Sequence, residues 1–229
     1  ASYDVYICYR QASEGALAQL LFHDLSNRTI GDEGRGVRVF LDRVRLSRGQ
    51  RWDAGFARGL ATSAVCVPLM SYGAVQRMEL LDPDGGNDFH DATLLEWMLA
   101  LELHAQGRIK AVQPILIGKI QPDGTMSDYS EDGSKGVLKD AVSQRTLSAL
   151  REVAEQLEPP LQLSAEAATR TVSATRDALL AFPTTPWHGI ATAPGSSPFH
   201  REAASLVFGQ VRFLAARSAR IRSISSGVR

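Results

Sequence analysis

The sequence predicts an α/β protein with a flavodoxin-like central parallel sheet, helices on both faces and a C-terminal helical extension. Segments rich in β-forming residues alternate four times with segments whose apolar residues recur at helical spacing. The strand-like segments are apolar almost throughout, which is typical of strands buried on both faces of a parallel sheet. Right-handed crossovers between such strands place binding crevices beyond their C-terminal ends.

Strands and helices follow one another in a regular order along the chain. The predicted elements are a strand at 4–9, a helix at 13–28 capped by Ser13, a strand at 36–42, a helix at 52–63, a strand at 64–71, a loop at 77–90, a helix at 93–104, a strand at 111–118, a loop at 121–136, and helices at 137–157 and 164–182. The loops at the predicted crevice are those after Tyr9, Asp42, Ser71 and Gly118.

Composition indicates a globular domain rather than a disordered or strongly basic chain. Of the 229 residues, 44% are hydrophobic and 22% charged, and the formal net charge is zero. This balance argues against a general nucleic-acid binder. Cys8 and Cys66 lie in apolar strand-like runs, where buried free thiols are expected. No run of about 18 apolar residues could span a bilayer, and no signal peptide is evident, so we expect a cytoplasmic protein.

The chain divides by composition into a main domain at 1–182, a linker at 183–198 and a basic amphipathic helical extension at 199–229. The linker is rich in proline, glycine, serine and threonine. Five arginines and one glutamate lie between Phe199 and Ser223. We expect this helix to dock on the domain or lead into a further one; binding to a partner or a membrane surface is the alternative.

Several common kinds of enzyme are excluded by missing motifs. The sequence has no phosphate-binding P-loop and no G-x-S-x-G nucleophile turn, and its "GDEGRG" segment precedes a strand instead of joining a strand to a helix. The five histidines lack ligand spacing, and the two cysteines form no metal-binding pattern. We therefore expect no metal site.

One carboxylate stands out in an apolar helix. Glu96 lies in "TLLEWMLALEL" at 93–103. Its neighbours at helical spacing are all uncharged: Ala92, Thr93, Leu99, Ala100 and Leu103. Glu96 is therefore a capping residue, an edge residue reaching solvent, or a group held in a cleft. In the capping alternative Thr93 is the N-cap, although Asp91 competes for that position.

Basic residues are concentrated at the predicted crevice, beyond the C-terminal ends of the strands. Tyr9 and Arg10 end the first strand, and Ser71 ends the third. The loop after the second strand, "DRVRLSRGQRW", carries Arg43, Arg45, Arg48 and Arg51 around Gly49. Guanidinium groups there suit a phosphate-bearing ligand, while a solvated basic surface is the alternative.

Four segments in order resemble the conserved boxes of a Toll/interleukin-1 receptor (TIR) domain. They are "YDVYICYRQ", "VRVFLDRVRLSRGQRW", "AVCVPLMSYGAV" and "LLEWMLALEL". The resemblance covers about 3–118 and extends more loosely to Phe182. It implies the TIR fold, in which some members are signalling adaptors that act by assembling with other TIR domains and others cleave the nicotinamide bond of NAD.

The NAD-cleaving branch implies a set of site residues in this chain. Its catalytic glutamate corresponds to Glu96, or to Glu102 in a weaker register. The substrate-binding residues implied are Tyr9, Arg10, Phe40, Arg45, Leu46, Gly49, Ser71 and Trp97. The chain departs from the pattern at Ser47, where the axon-degeneration enzyme of animals has an acid, and at Ala92, where members often have tryptophan.

The resemblance therefore implies an NAD hydrolase that acts when self-associated through homotypic TIR contacts, in signalling of the immune or cell-death type. NAD would be the substrate, without a further cofactor, and the products nicotinamide and either ADP-ribose or cyclic ADP-ribose. The first alternative is a non-enzymatic TIR scaffold that uses the arginine-rich loop as an interaction surface. A flavodoxin-like module that binds another nucleotide is the second.

Overall fold

A computed structural model describes residues 3–30, 34–45, 52–80, 90–118, 144–183, 185–188 and 199–226. The strands are β1 Tyr3–Cys8, β2 Thr29–Ile30, β3 Arg35–Gly36, β4 Val39–Phe40, β5 Ser63–Ser71, β6 Ala111–Val112, β7 Ile115–Gly118 and β8 Thr185–His188. The α-helices are α1 Gln11–Ser26, α2 Asp42–Arg45, α3 Trp52–Ala61, α4 Tyr72–Gln76, α5 Ala92–Ala105, α6 Gln144–Gln156, α7 Val172–Leu180 and α8 Phe199–Ser226, with 3₁₀ turns at Arg77–Leu80 and Ala167–Thr169.

The predicted parallel sheet is confirmed. Its strands run in the order β4-β1-β5-β7-β8, and β6 also pairs with β5. All these pairs are parallel, and Val5 in the interior strand β1 is opposite Val39 on one side and Val65 on the other. β2 and β3 form a separate antiparallel pair. The C-terminal ends of β1 and β5 therefore lie side by side at one edge of the sheet.

Side chains of β1 alternate between two cores because successive residues of a strand point to opposite faces. Tyr6 and Cys8 join the core formed with α3, α5, α6 and α7. Val5 and Ile7 join the core formed with α1 and α8. Cys8 and Cys66 are free and buried, as expected from their apolar surroundings in the sequence.

Several element boundaries differ from the prediction. The predicted strand at 111–118 is divided by Gln113 and Pro114, since proline has no N–H to donate to a ladder. Of the strand predicted at 36–42, only Val39–Phe40 joins the parallel sheet. The first helix begins at Gln11 and has Arg10 as its N-cap, not Ser13.

The last part of the main domain also differs. The single helix predicted at 164–182 is a 3₁₀ turn followed by α7. The Thr171 hydroxyl accepts from Ala174 N at 3.1 Å and so caps α7. The predicted loop at 121–136 lies outside the described residues, as does the start of the helix predicted at 137–157.

The predicted linker at 183–198 is wrong for Thr185–His188. These four residues form β8, which pairs with β7 so that Ile115 is opposite Thr185. The prolines and threonines of this segment favoured a linker, but an edge strand tolerates proline because its outer side needs no ladder partner. Residues 189–198 lie outside the described part of the chain.

The first half of the basic C-terminal helix docks on the domain, as the favoured interpretation expected. Ala203, Ala204, Val207 and Val211 of α8 are buried in the core shared with α1. Arg28 donates to Ser205 Oγ at 3.1 Å. Among the described residues, no helix is both long enough and apolar enough to cross a membrane.

The close packing of α3 on the sheet predicts that Gly59→Ala destabilises the protein. A Cβ at Gly59 would lie 2.5 Å from Cε2 of Phe40, whose ring stacks on Tyr6 with centroids 5.0 Å apart. Such overpacking costs about 1 to 3 kcal/mol. Urea unfolding of both proteins measures the difference.

The matched control is Gly209→Ala in α8, where an added Cβ meets nothing within 4 Å. It should raise the free energy of unfolding by up to about 1 kcal/mol, because alanine favours a helix more than glycine does. Equal effects of the two substitutions would contradict the packing assigned to Gly59.

Candidate functional site

The helix that carries Glu96 begins two residues earlier than the capping alternative requires, at Ala92 instead of Leu94. Asp91 is the N-cap of α5, and its Oδ1 accepts from Leu94 N at 2.9 Å. Glu96 therefore lies in the second turn, beyond the reach of a capping box with Thr93 as N-cap. The capping interpretation of Glu96 is wrong.

A buried ion pair holds this N-cap in place. Arg10 Nη2 lies 3.0 Å from Asp91 Oδ1 and 2.9 Å from Asp91 Oδ2, and the two side chains are 11% and 1% exposed. Arg10 also donates to the Ala74 carbonyl, from Nε at 2.9 Å and from Nη2 at 2.7 Å. Arg10 thus joins the end of β1 to α4 and to the start of α5.

A second buried acid supports the same corner. Glu14 of α1 accepts from Arg10 N at 2.8 Å and from the Ser71 hydroxyl. Ser71 Oγ in turn accepts from Ala74 N at 3.0 Å and caps α4. Burial raises the pKa of Glu14, although its hydrogen bonds to Ser71 and Arg10 act in the opposite direction. These bonds fix the turns after β1 and β5 against each other.

A cleft of about 680 Å³ opens at this C-terminal edge of the sheet. It is lined by Tyr9, Arg10, Gln11, Ala12, Asp42, Gly73, Gln76, Arg77, Ala92, Thr93 and Glu96. The lining comes from the ends of β1 and β4 and from α1, α4 and α5. This is the place at which open α/β sheets bind their ligands.

Glu96 is a buried acid of the cleft whose pKa is strongly raised. Its side chain is almost wholly buried, with 6% of the residue exposed. Burial raises its pKa to about 8; hydrogen bonds with the Cys8 thiol and the Tyr6 hydroxyl oppose this, and the negative charges of Asp42 and Asp91 add to it. Within the described part of the chain no arginine or lysine forms an ion pair with Glu96. A buried acid without a counter-charge in a cleft is typical of functional sites.

The alternative acid on the same helix has a different environment. Glu102 accepts from Ser164 N at 3.1 Å and from Ser164 Oγ at 3.0 Å, and it lies 3.7 Å from Arg170 Nη2. Glu102 does not line the cleft. Its bonds hold the segment before α7 against α5, which is a structural role.

The structure brings together only part of the predicted site. Tyr9 and Arg10 line the cleft with Glu96. Phe40 and Trp97 are buried in the core below it, 3% and 1% exposed, where neither reaches the cleft surface. Burial of these two aromatic side chains agrees with their size and apolar character.

The other predicted residues do not add to the described cleft. Ser71 is held by Glu14 and caps α4. Arg45 ends α2, but its side chain lies outside the described part of the structure, as do Leu46 and Gly49 entirely.

Sequence reasoning missed several lining residues. Asp42 lies two residues after the end of β4, so the rule that ligands bind beyond strand ends could have included it among the site residues. Gln76 and Arg77 come from α4 and the turn after it, elements absent from the predicted order. Thr93 also lines the cleft, although its sequence context suggests only a helix cap.

Comparison with protein families matches residues 5–138 to the TIR domain. The chain belongs to the TIR family. The matched range covers more than half of the chain and contains all the described residues that line the cleft. The TIR fold expected from the four sequence boxes is thereby confirmed.

Among solved structures, the TIR domains in "Structure of the activated Roq1 resistosome directly recognizing the pathogen effector XopQ" match this TIR domain with a TM-score of 0.49 and 14% identity. The match covers 92% of this chain and 99% of the other. A search of curated proteins finds no match.

The raised pKa of Glu96 predicts that Glu96→Gln becomes more stable, relative to the native protein, as the pH rises. Between the ordinary pKa of 4.5 and the folded value of about 8, folded Glu96 keeps a proton that the unfolded chain has released. Unfolding of the native protein therefore becomes easier with rising pH, whereas glutamine does not titrate. Urea unfolding from pH 5 to 8.5 should show the difference growing by roughly 3 to 5 kcal/mol.

Asp4→Asn is the control for this experiment. Burial of Asp4 is outweighed by hydrogen bonds and charges from Arg35 and Arg38, so its pKa is lowered. Asp4 is therefore ionised in both states above pH 5, and its variant should differ from the native protein by a constant amount. A constant difference for Glu96→Gln as well would contradict the raised pKa.

Proposed function

We propose that this TIR domain is an NAD hydrolase that cleaves the bond between nicotinamide and ribose, with Glu96 as the catalytic residue. The products are nicotinamide and either ADP-ribose or cyclic ADP-ribose. The observation that carries the proposal is the burial of the Glu96 carboxyl in the cleft at the C-terminal edge of the sheet, away from any described basic partner. Membership of the TIR family supports it.

The reaction suits one such carboxylate. Nicotinamide is attached to ribose as a cationic pyridinium and leaves as a neutral molecule, so no acid is needed to protonate it, in contrast to ordinary glycoside hydrolysis. The ribose carbon becomes cationic as the bond breaks. An ionised Glu96 stabilises that charge, and the poorly solvated surroundings strengthen the attraction.

The substrate itself favours the reactive form of Glu96. In the free protein the carboxyl has a pKa of about 8 and is mostly protonated at neutral pH. A pyridinium placed beside it favours the anion, because an opposite charge lowers the pKa of a carboxyl group. Substrate binding thus replaces the counter-charge that the described structure does not supply.

The arginines at the cleft have two different roles in this proposal. Arg10 is held by Asp91 and Ala74, so it shapes the cleft wall and orients α5. Arg77 lines the cleft, and in this proposal it binds the diphosphate of NAD. The arginine-rich loop after Asp42 is a further phosphate contact in the proposal, which rests there on the sequence.

Nicotinamide release from NAD tests the proposal directly. The native protein should release nicotinamide, and Glu96→Gln should do so at least about 100-fold more slowly because it loses the charge that stabilises the transition state. Release is measured by chromatography over a range of protein concentrations. A rate per molecule that rises steeply with concentration would support the second part of the proposal, that the domain acts when self-associated.

Glu102→Gln is the matched control, an acid of the same helix that contacts Ser164 instead of the cleft. Its activity per folded molecule should stay close to native, although unfolding should be easier by about 1 to 3 kcal/mol. Absence of release by the native protein at every concentration, or equal release by Glu96→Gln, would refute the proposal.

The pH dependence of kcat/KM provides a second test. If the ionised form of Glu96 is required, kcat/KM should rise about tenfold per pH unit below pH 8 and level off above it, since kcat/KM reports groups of the free enzyme. The profile of kcat should level off at lower pH, because bound substrate favours the anion. A flat kcat/KM profile between pH 6 and 9 would be inconsistent with this role.

A further inference from the structure

A second carboxylate faces the cleft that contains Glu96. Asp42 begins α2, separated from the end of β4 by Leu41 alone, and it lines the cleft together with Tyr9 and Glu96. The Tyr9 hydroxyl donates to Asp42 Oδ1 at 2.6 Å and so fixes the direction of the carboxylate. The charge of Asp42 acts on Glu96, whose pKa it raises. The two acids therefore share one site.

Glu96 and Asp42 differ in how far they are exposed, and this difference suits them to different tasks. Glu96 is 6% exposed and lies over the apolar core that contains Cys8 and Tyr6. Asp42 is only partly buried and remains accessible from the cleft. A carboxylate in each kind of environment is how active sites assign different roles to two acids.

We propose that Asp42 is a second catalytic residue of this TIR domain, the base that accepts a proton from the attacking water. The inference rests on the proposed NAD hydrolysis. The bond between ribose C1 and the nicotinamide nitrogen breaks, and its electron pair leaves with nicotinamide. The water oxygen then bonds to C1, and one water proton passes to Asp42 and from there to solvent.

The other described acids close to the cleft do not take this role, and Glu14 is held by Arg10 N and the Ser71 hydroxyl. Asp91 caps α5 and is bound by Arg10, and it is 1% exposed. Glu96 must stay anionic while charge develops on the ribose, so a second group is needed for the proton. Tyr9 is then a positioning residue: its hydroxyl, which also lies 2.9 Å from Gln11 Oε1, donates to Asp42 Oδ1 and so orients that carboxylate.

Competition between water and a pyridine nucleophile separates this role from a merely structural one. Water must lose a proton when it attacks the ribose, whereas 3-acetylpyridine attacks through a neutral nitrogen and has none to lose. Asp42→Asn should therefore slow hydrolysis of NAD by at least about 30-fold. Exchange of nicotinamide for 3-acetylpyridine should stay within about threefold of the native rate.

Two variants serve as references in the same assay. Glu96→Gln should slow hydrolysis and exchange together, because both pass through the same cationic ribose. Asp4→Asn removes an acid that binds Arg35 at the opposite end of β1, about 16 Å along the strand from Tyr9. Its ratio of hydrolysis to exchange should equal that of the native protein.

Tyr9→Phe should shift the ratio in the same direction as Asp42→Asn, by a smaller factor.

The outcomes distinguish this inference from the proposed function. A selective loss of hydrolysis in Asp42→Asn supports the base. A parallel loss of both reactions, or no loss of either, overturns the base while leaving NAD cleavage by Glu96 intact. Absence of nicotinamide release by the native protein overturns the proposed function and this inference with it.

Discussion

The buried ion pair between Arg10 and Asp91 is the constraint on which the site depends. Burying two charges costs several kcal/mol per ion unless their hydrogen bonds are satisfied. Here Asp91 accepts from both Arg10 and Leu94 N, and Arg10 also donates to the Ala74 carbonyl. The pair can therefore be buried, and because Asp91 is the N-cap it decides where α5 begins. That starting point directs Glu96 to the cleft and Glu102 to Ser164.

The burial of Glu96 opposes the stability of the fold, and the catalytic role proposed for this residue would explain why it is kept. A carboxyl with a pKa of about 8 is held where water cannot solvate its anion, so the fold is less stable than it would be with a neutral residue there. The hydrogen bonds from Cys8 and Tyr6 offset part of that cost. Three acids with structural roles, Asp4, Asp91 and Glu102, differ from Glu96 because each has an arginine within 4.0 Å.

Local patterns in the sequence predicted the parallel sheet, the helix of Glu96 and the lack of a basic neighbour on its stripe. They could not predict partners far apart in the chain. Arg10 looked like a ligand contact because Asp91 is 81 residues away, and Asp42 was not paired with Tyr9, 33 residues away. Phe40 and Trp97 are themselves predicted site residues, but packing against α3 and the sheet takes them into the core. The strand β8 was missed because proline in an edge strand resembles a linker.

The C-terminal part of the chain supports the site from behind the sheet. Tyr9 and Arg10 follow the end of β1, whose two faces pack differently. Tyr6 and Cys8 lie under Glu96, while Val5 and Ile7 are covered by α1 and α8. Because a parallel sheet needs apolar cover on both faces, removal of α8 would expose the reverse side of the strand that positions the cleft. The helix α8 therefore stabilises the strand that positions the site. It does so although it lies beyond the range matched to the TIR family and contributes no described residue to the cleft.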